Sequence, residues 1–124
     1  NISKEDAKKL FVSTVMKRAR ISEIKDKWVA SLFFDWMMQR PGTCMQYIMT
    51  KMCKYSTADY QAAKSGYYKS QITDTLLSIL NADDAKNTHD CIKSWRLDHL
   101  ENTSVYESFR EGVRDRINSY IYGQ

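Results

Sequence analysis

One proline and four glycines in 124 residues leave little material for the tight turns of a β-rich fold. No apolar run approaches the roughly 20 residues that span a bilayer. The N-terminus lacks the apolar centre of a signal peptide. The three cysteines, Cys44, Cys53 and Cys91, are odd in number, widely spaced and without a Cys-x-x-Cys pair. His89 and His99 make no recognisable ligand pair with them. A zinc site or a disulfide framework is therefore not expected, and nothing calls for a cofactor. Free thiols buried as small hydrophobes are the favoured reading.

What is present is helical pattern. In residues 24–39 the residues Trp28, Val29, Leu32, Phe33, Trp36 and Met37 repeat at helical spacing, and Ala30, Phe34 and Met38 add apolar groups on the opposite side. A helix apolar nearly all round is buried by neighbours on several sides. The expectation is a single all-α domain of five or six helices packed around this central one.

The flanking segments fit that plan. Ser3-Lys-Glu-Asp6 reads as a capping box, with Ala7, Leu10, Phe11 and Val15 as a buried stripe running to about Lys17. Ser22 is placed to cap the central helix, and Pro41-Gly42 stops it. Thr43 to Gln46 opens a third helix carrying Tyr47, Ile48 and Met52. Residues 56–70 are ambiguous, with at most a short helical turn and then an exposed aromatic turn at Ser65-Gly66-Tyr67-Tyr68. A helix with Ile72, Leu76, Leu77 and Leu80 follows, then one capped by Asp83 with Ile92, Trp95 and Leu100. Ser104-Val-Tyr-Glu107 is a capping box for the last helix, whose stripe is Tyr106, Phe109, Val113, Ile117, Tyr120 and Ile121. Gly112 inside it costs roughly 1 kcal/mol relative to alanine, so close packing against another helix is expected there.

Charge is unevenly placed. Residues 1–27 hold eight Lys and Arg against four Asp and Glu, and the rest of the chain is balanced. The whole net charge of +4 therefore sits at one end. It suits a solvated helix face, or attraction to a polyanion such as nucleic acid or an anionic cell-wall polymer. Against nucleic acid, no basic stripe is interleaved with aromatics and no helix-turn-helix spacing is present.

Several segments, in order, resemble the C-terminal, peptidoglycan-binding region of phage-type muramidases of glycoside hydrolase family 108. Ile2-Ser-Lys-Glu-Asp-Ala-Lys-Lys-Leu-Phe11 is similar to the helix that closes that family's catalytic segment. Ser22 to Ala30 and Leu32-Phe-Phe-Asp-Trp36 are similar to the following helix, with its Phe-Asp pair. Ser65-Gly-Tyr-Tyr68 and residues 73–81 are similar to the turn and helix that come next. Phe109-Arg-Glu-Gly-Val-Arg-Asp-Arg-Ile-Asn118 is similar to the terminal Phe-x-x-Gly-Trp-x-x-Arg-Ile pattern, with Val113 in place of tryptophan.

The resemblance implies peptidoglycan glycan strands as partner and action at the cell wall after synthesis in the cytoplasm, with passage helped by a separate holin. The family's catalytic glutamate lies in an upstream Glu-Gly-Gly segment, and this sequence contains none. The expected role is thus a peptidoglycan-associated domain that is not catalytic by itself. It is either the C-terminal part of a longer enzyme or a relative without the catalytic half. The alternative is a helical protein- or nucleic-acid-binding module using the basic N-terminal region.

Glycan-binding candidates are Asp35, Gln39, Tyr67 and Tyr68; no catalytic residue is assigned. For Asp35 two readings stand: apolar neighbours raise its pKa for a supporting role in hydrolysis, or it pairs with a nearby Lys or Arg. Tyr67 and Tyr68 flank a glycine turn and are better placed to stack on sugars than Trp28, Trp36 and Trp95, which fall in apolar stripes. Arg110, Arg114 and Arg116 read as a solvated face.

Overall fold

A computed structural model describes residues 2–52, 56–65 and 69–124, and these form an all-α fold. The helices are α1 (Lys4–Arg18), α2 (Lys27–Gln39), α3 (Pro41–Met52), α4 (Thr57–Ser65), α5 (Lys69–Leu80), α6 (Ala85–Glu101) and α7 (Arg110–Asn118), with a 3-10 turn at Ile21–Glu23. The stretch left as a helical turn by its sequence is α4, started by Ser56, whose Oγ accepts from the Asp59 amide at 3.0 Å. No helix among the described residues is long and apolar enough to cross a membrane.

The central helix is α2. Asp26, not Ser22, caps it: the carboxylate accepts from the Trp28 and Val29 amides at 3.0 and 2.9 Å. Val29, Leu32, Phe33, Trp36 and Met37 are buried, and they pack against α6 on one side and α3 on another. Ile48 and Met49 of α3, Tyr60 of α4, Leu76 and Leu80 of α5 and Ile92 of α6 complete the main core. Pro41 both ends α2 and begins α3, since a first-turn proline has no amide to lose; only Arg40 separates the two helices. Cys44 is fully buried, its thiol pKa pushed well up by burial, and Cys91 is half-buried; both are free thiols. Cys53 lies outside the described residues.

Three expectations are corrected. The stripe on α1 is not core: Ala7 is exposed, Leu10 and Phe11 are 60% and 49% exposed, and the Val15 side chain lies outside those described; the helix touches the 3-10 turn and α2. The last helix begins at Arg110, not Ser104. Residues 104–109 form turns that fold Tyr106 onto Leu100, Val113 and Ile117 as a small second core. Gly112 has no close neighbour: a Cβ built there meets nothing within 4 Å, and the residue is exposed. Gly112→Ala is therefore expected to stabilise the fold by about 0.5–1 kcal/mol. A rise in the urea midpoint with unchanged slope is the readout; a fall would mean that something covers this face.

Candidate functional site

The chemistry-bearing cluster lies where the C-terminal half of α2 meets α6 and α7. Asp35 is 7% exposed and is held by two arginines. Arg116 of α7 approaches with Nη2 at 2.5 Å and Nε at 3.2 Å from the carboxylate oxygens. Arg96 of α6 places Nη2 2.8 Å from Oδ2. The same Arg96 nitrogen donates to Gln39 Oε1 at 2.6 Å. Asp35 and Gln39 are one turn apart on α2, so a single guanidinium spans both. Arg96 is 2% exposed, and among the described residues its Nη1 has no hydrogen-bond partner, as is true of the buried Trp36 Nε1.

The electrostatics decide between the two readings of Asp35. Burial by itself raises the carboxyl pKa, but the hydrogen bonds and charges of Arg116 and Arg96 outweigh it and hold it below the ordinary carboxylate range. Asp35 is thus ionised at neutral pH and engaged on both oxygens. A group in that state cannot serve as the proton donor that glycoside cleavage needs. The pairing reading therefore holds and the raised-pKa reading does not, because two arginines distant in sequence face a carboxylate whose near neighbours are apolar.

Nor is α7 a solvated face. Arg110 donates to the carbonyls of Leu100 and Thr103, closing the turn between α6 and α7. Arg114 pairs with Glu101. Arg116 alone reaches the interior, with its side chain still 55% exposed. Tyr120 follows on, its hydroxyl pKa raised by burial and by the nearby Asp35 carboxylate. At the other side of α6, the rings of Trp36, Tyr47, His99 and Tyr106 run in series with centroids 5.6–6.0 Å apart. Burial and the Arg40 charge lower the His99 pKa.

Of the four candidates, the structure brings together Asp35 and Gln39; Tyr67 and Tyr68 lie outside the described residues. Arg96 and Arg116 are the partners that spacing alone did not single out. Trp36 is core, Trp95 is half-buried against it, and Trp28 is half-buried under the end of the chain. Its indole N–H donates to the Gln124 carbonyl at 3.2 Å, and the Tyr122 ring lies 5.1 Å away. The described residues include no cluster of His, Cys, Asp and Glu suited to hold a metal ion. Comparison with family models, with curated proteins and with solved structures finds no match to this chain.

Proposed function

We propose that this chain is the peptidoglycan-associated helical domain of a phage-type muramidase and does not cut glycan by itself. One observation carries the reading. The segment Leu32-Phe-Phe-Asp-Trp36 and the segment from Phe109 to Asn118, which resemble two motifs of that family, meet through the Asp35–Arg116 contact. Residues 81 positions apart that pair directly are a reason for both segments to occur together in one chain. The committed state of Asp35 supports the non-catalytic part, since loss of a general acid costs roughly 10²–10⁴-fold in rate.

The binding surface we assign is the mouth of this cluster, Gln39 and the exposed part of Arg116; Tyr67 and Tyr68 are added to it from the sequence alone. Polar groups there fix sugar hydroxyls, and aromatic faces cover the ring. Asp35 acts from beneath, by orienting the arginines.

The test is retention of the purified chain on peptidoglycan sacculi together with a turbidity assay. Retention without clearing is expected, and Tyr67→Ala with Tyr68→Ala is expected to weaken retention. Clearing by the chain alone would overturn the non-catalytic claim. No retention on sacculi, with retention on DNA instead, would replace the reading with the nucleic-acid alternative.

A further inference from the structure

A groove of about 850 Å³ runs along α1 where the helix meets the 3-10 turn, and it shares no lining residue with the Asp35 cluster. Val12 and Met16 give it an apolar lining, and Lys8, Lys9 and Lys17 give it positive charge. Arg20 also lines it, but that guanidinium is neutralised by Glu23 and Asp74. The three lysines have no acidic partner within salt-bridge distance among the described residues, and Glu5 is the one groove carboxylate not taken by an arginine. Three unpaired ammonium groups thus surround a concave apolar site.

We propose that this groove binds a short acidic peptide with small apolar side chains. Three ammonium groups suit two or three carboxylates, and the floor between them suits methyl groups rather than water. The volume fits a few residues and not a protein domain. This inference rests on the muramidase reading for its ligand, which is the stem peptide of peptidoglycan. In that peptide the carboxylates of γ-linked glutamate, diaminopimelate and the C-terminus lie between and beside two alanine methyls. One chain would then hold glycan near Asp35 and peptide along α1.

Two other polyanions fit less well. A bilayer surface needs apolar groups on one side of a helix, whereas exposed Phe11 and Met16 point about 140° apart around α1. A nucleic-acid backbone offers no methyl groups for Val12 and Met16, and Glu5 would repel a continuous run of phosphates.

Calorimetric titration of the intact protein tests this with an N-acetylated stem tetrapeptide, alanyl-γ-D-glutamyl-diaminopimelyl-D-alanine. The comparators are the same peptide with amidated carboxylates and peptide-free glycan strands. The tetrapeptide is expected to bind and its amidated form not to. The variant Lys8→Glu/Lys9→Glu/Lys17→Glu is expected to lose affinity by roughly tenfold or more, while Lys8→Arg/Lys9→Arg/Lys17→Arg and the remote Lys86→Glu leave it unchanged. Equal binding of the two peptides, or no binding of the tetrapeptide, overturns the inference on the unmodified protein alone, whatever the triple variant does to the fold. Tighter capture of duplex DNA or an anionic vesicle by the same lysines also overturns it. Tetrapeptide binding that the glutamate triple leaves intact, with sacculus retention present, would sink the groove and spare the muramidase reading. Tetrapeptide binding without sacculus retention would do the reverse.

Discussion

Asp35→Ala is expected to destabilise the fold by about 3–5 kcal/mol, the cost of breaking a buried ion pair by removing one partner. Arg96 decides the size. It is 2% exposed, its Nη1 already lacks a partner among the described residues, and without Asp35 its charge keeps only Gln39 among them in the interior. Arg116 contributes less, because more than half of its side chain reaches water, which screens the lost attraction. Asp35→Asn keeps the shape and loses the charge, so it should fall between alanine and the native protein. A double variant, Asp35→Leu with Arg96→Met, should recover much of the loss, because it removes the unpaired charge along with its partner. Urea unfolding of the four proteins checks the order. If alanine costs less than about 1 kcal/mol, Asp35 does not organise the junction of α2, α6 and α7, and the structural basis of the proposed function goes with it.

The second large effect is expected at Asp26. Asp26→Ala removes the cap of the central helix, worth about 1–2 kcal/mol. It also frees the Tyr122 hydroxyl, which donates to Asp26 Oδ2 at 2.6 Å. About 2–3 kcal/mol in all is the expected loss. Tyr122→Phe should cost only the tyrosine part. The two acids also set the acid limb of stability. Burial raises the Asp26 pKa, but Tyr122 and the Val29 and Trp28 amides outweigh it, so that it is lowered, as at Asp35. A depressed native pKa means stability fully present above the ordinary aspartate value of about 3.9 and lost as pH falls through the native values. From these groups the stability curve should be flat above about pH 5 and decline below about pH 4. In Asp35→Ala and Asp26→Ala that decline should shrink. An unchanged acid limb in both would show that neither carboxylate is paired in the native state.

Much of the fold was legible because burial writes a period into the chain. The stripe from Trp28 to Met37 placed α2, and Leu76, Leu77 and Leu80 placed α5. The junction residues were harder, since a charge normally marks the solvent side. Yet Arg96 stands four residues after Ile92 and four before Leu100, inside the buried stripe of α6. Only a buried acid elsewhere makes such a position tenable, and Asp35 is that acid. The signal was present as two misplaced charges of opposite sign, each on an apolar face. On α1 the same logic failed: Leu10 and Phe11 have helical spacing but no neighbour to bury them. Periodicity reports how a helix is patterned and not what it meets. The capping box at Ser104 failed for a related reason, as Tyr106 gains more by turning onto Leu100 and Ile117 than by continuing a helix.

The pairing of Asp35 with Arg116 also has a consequence for synthesis. The two residues leave the ribosome 81 positions apart, which at about 5–20 residues per second is several seconds. During that interval α2 can collapse onto α3, but the carboxylate in its C-terminal half has no cation. Arg96 arrives first and Arg116 last. Completion of this junction therefore waits for α7, and a nascent chain stopped before it carries a core with one charge half-compensated. Such truncated products should be read by the cell's quality control as unfolded, even though α1 to α6 are already in the chain.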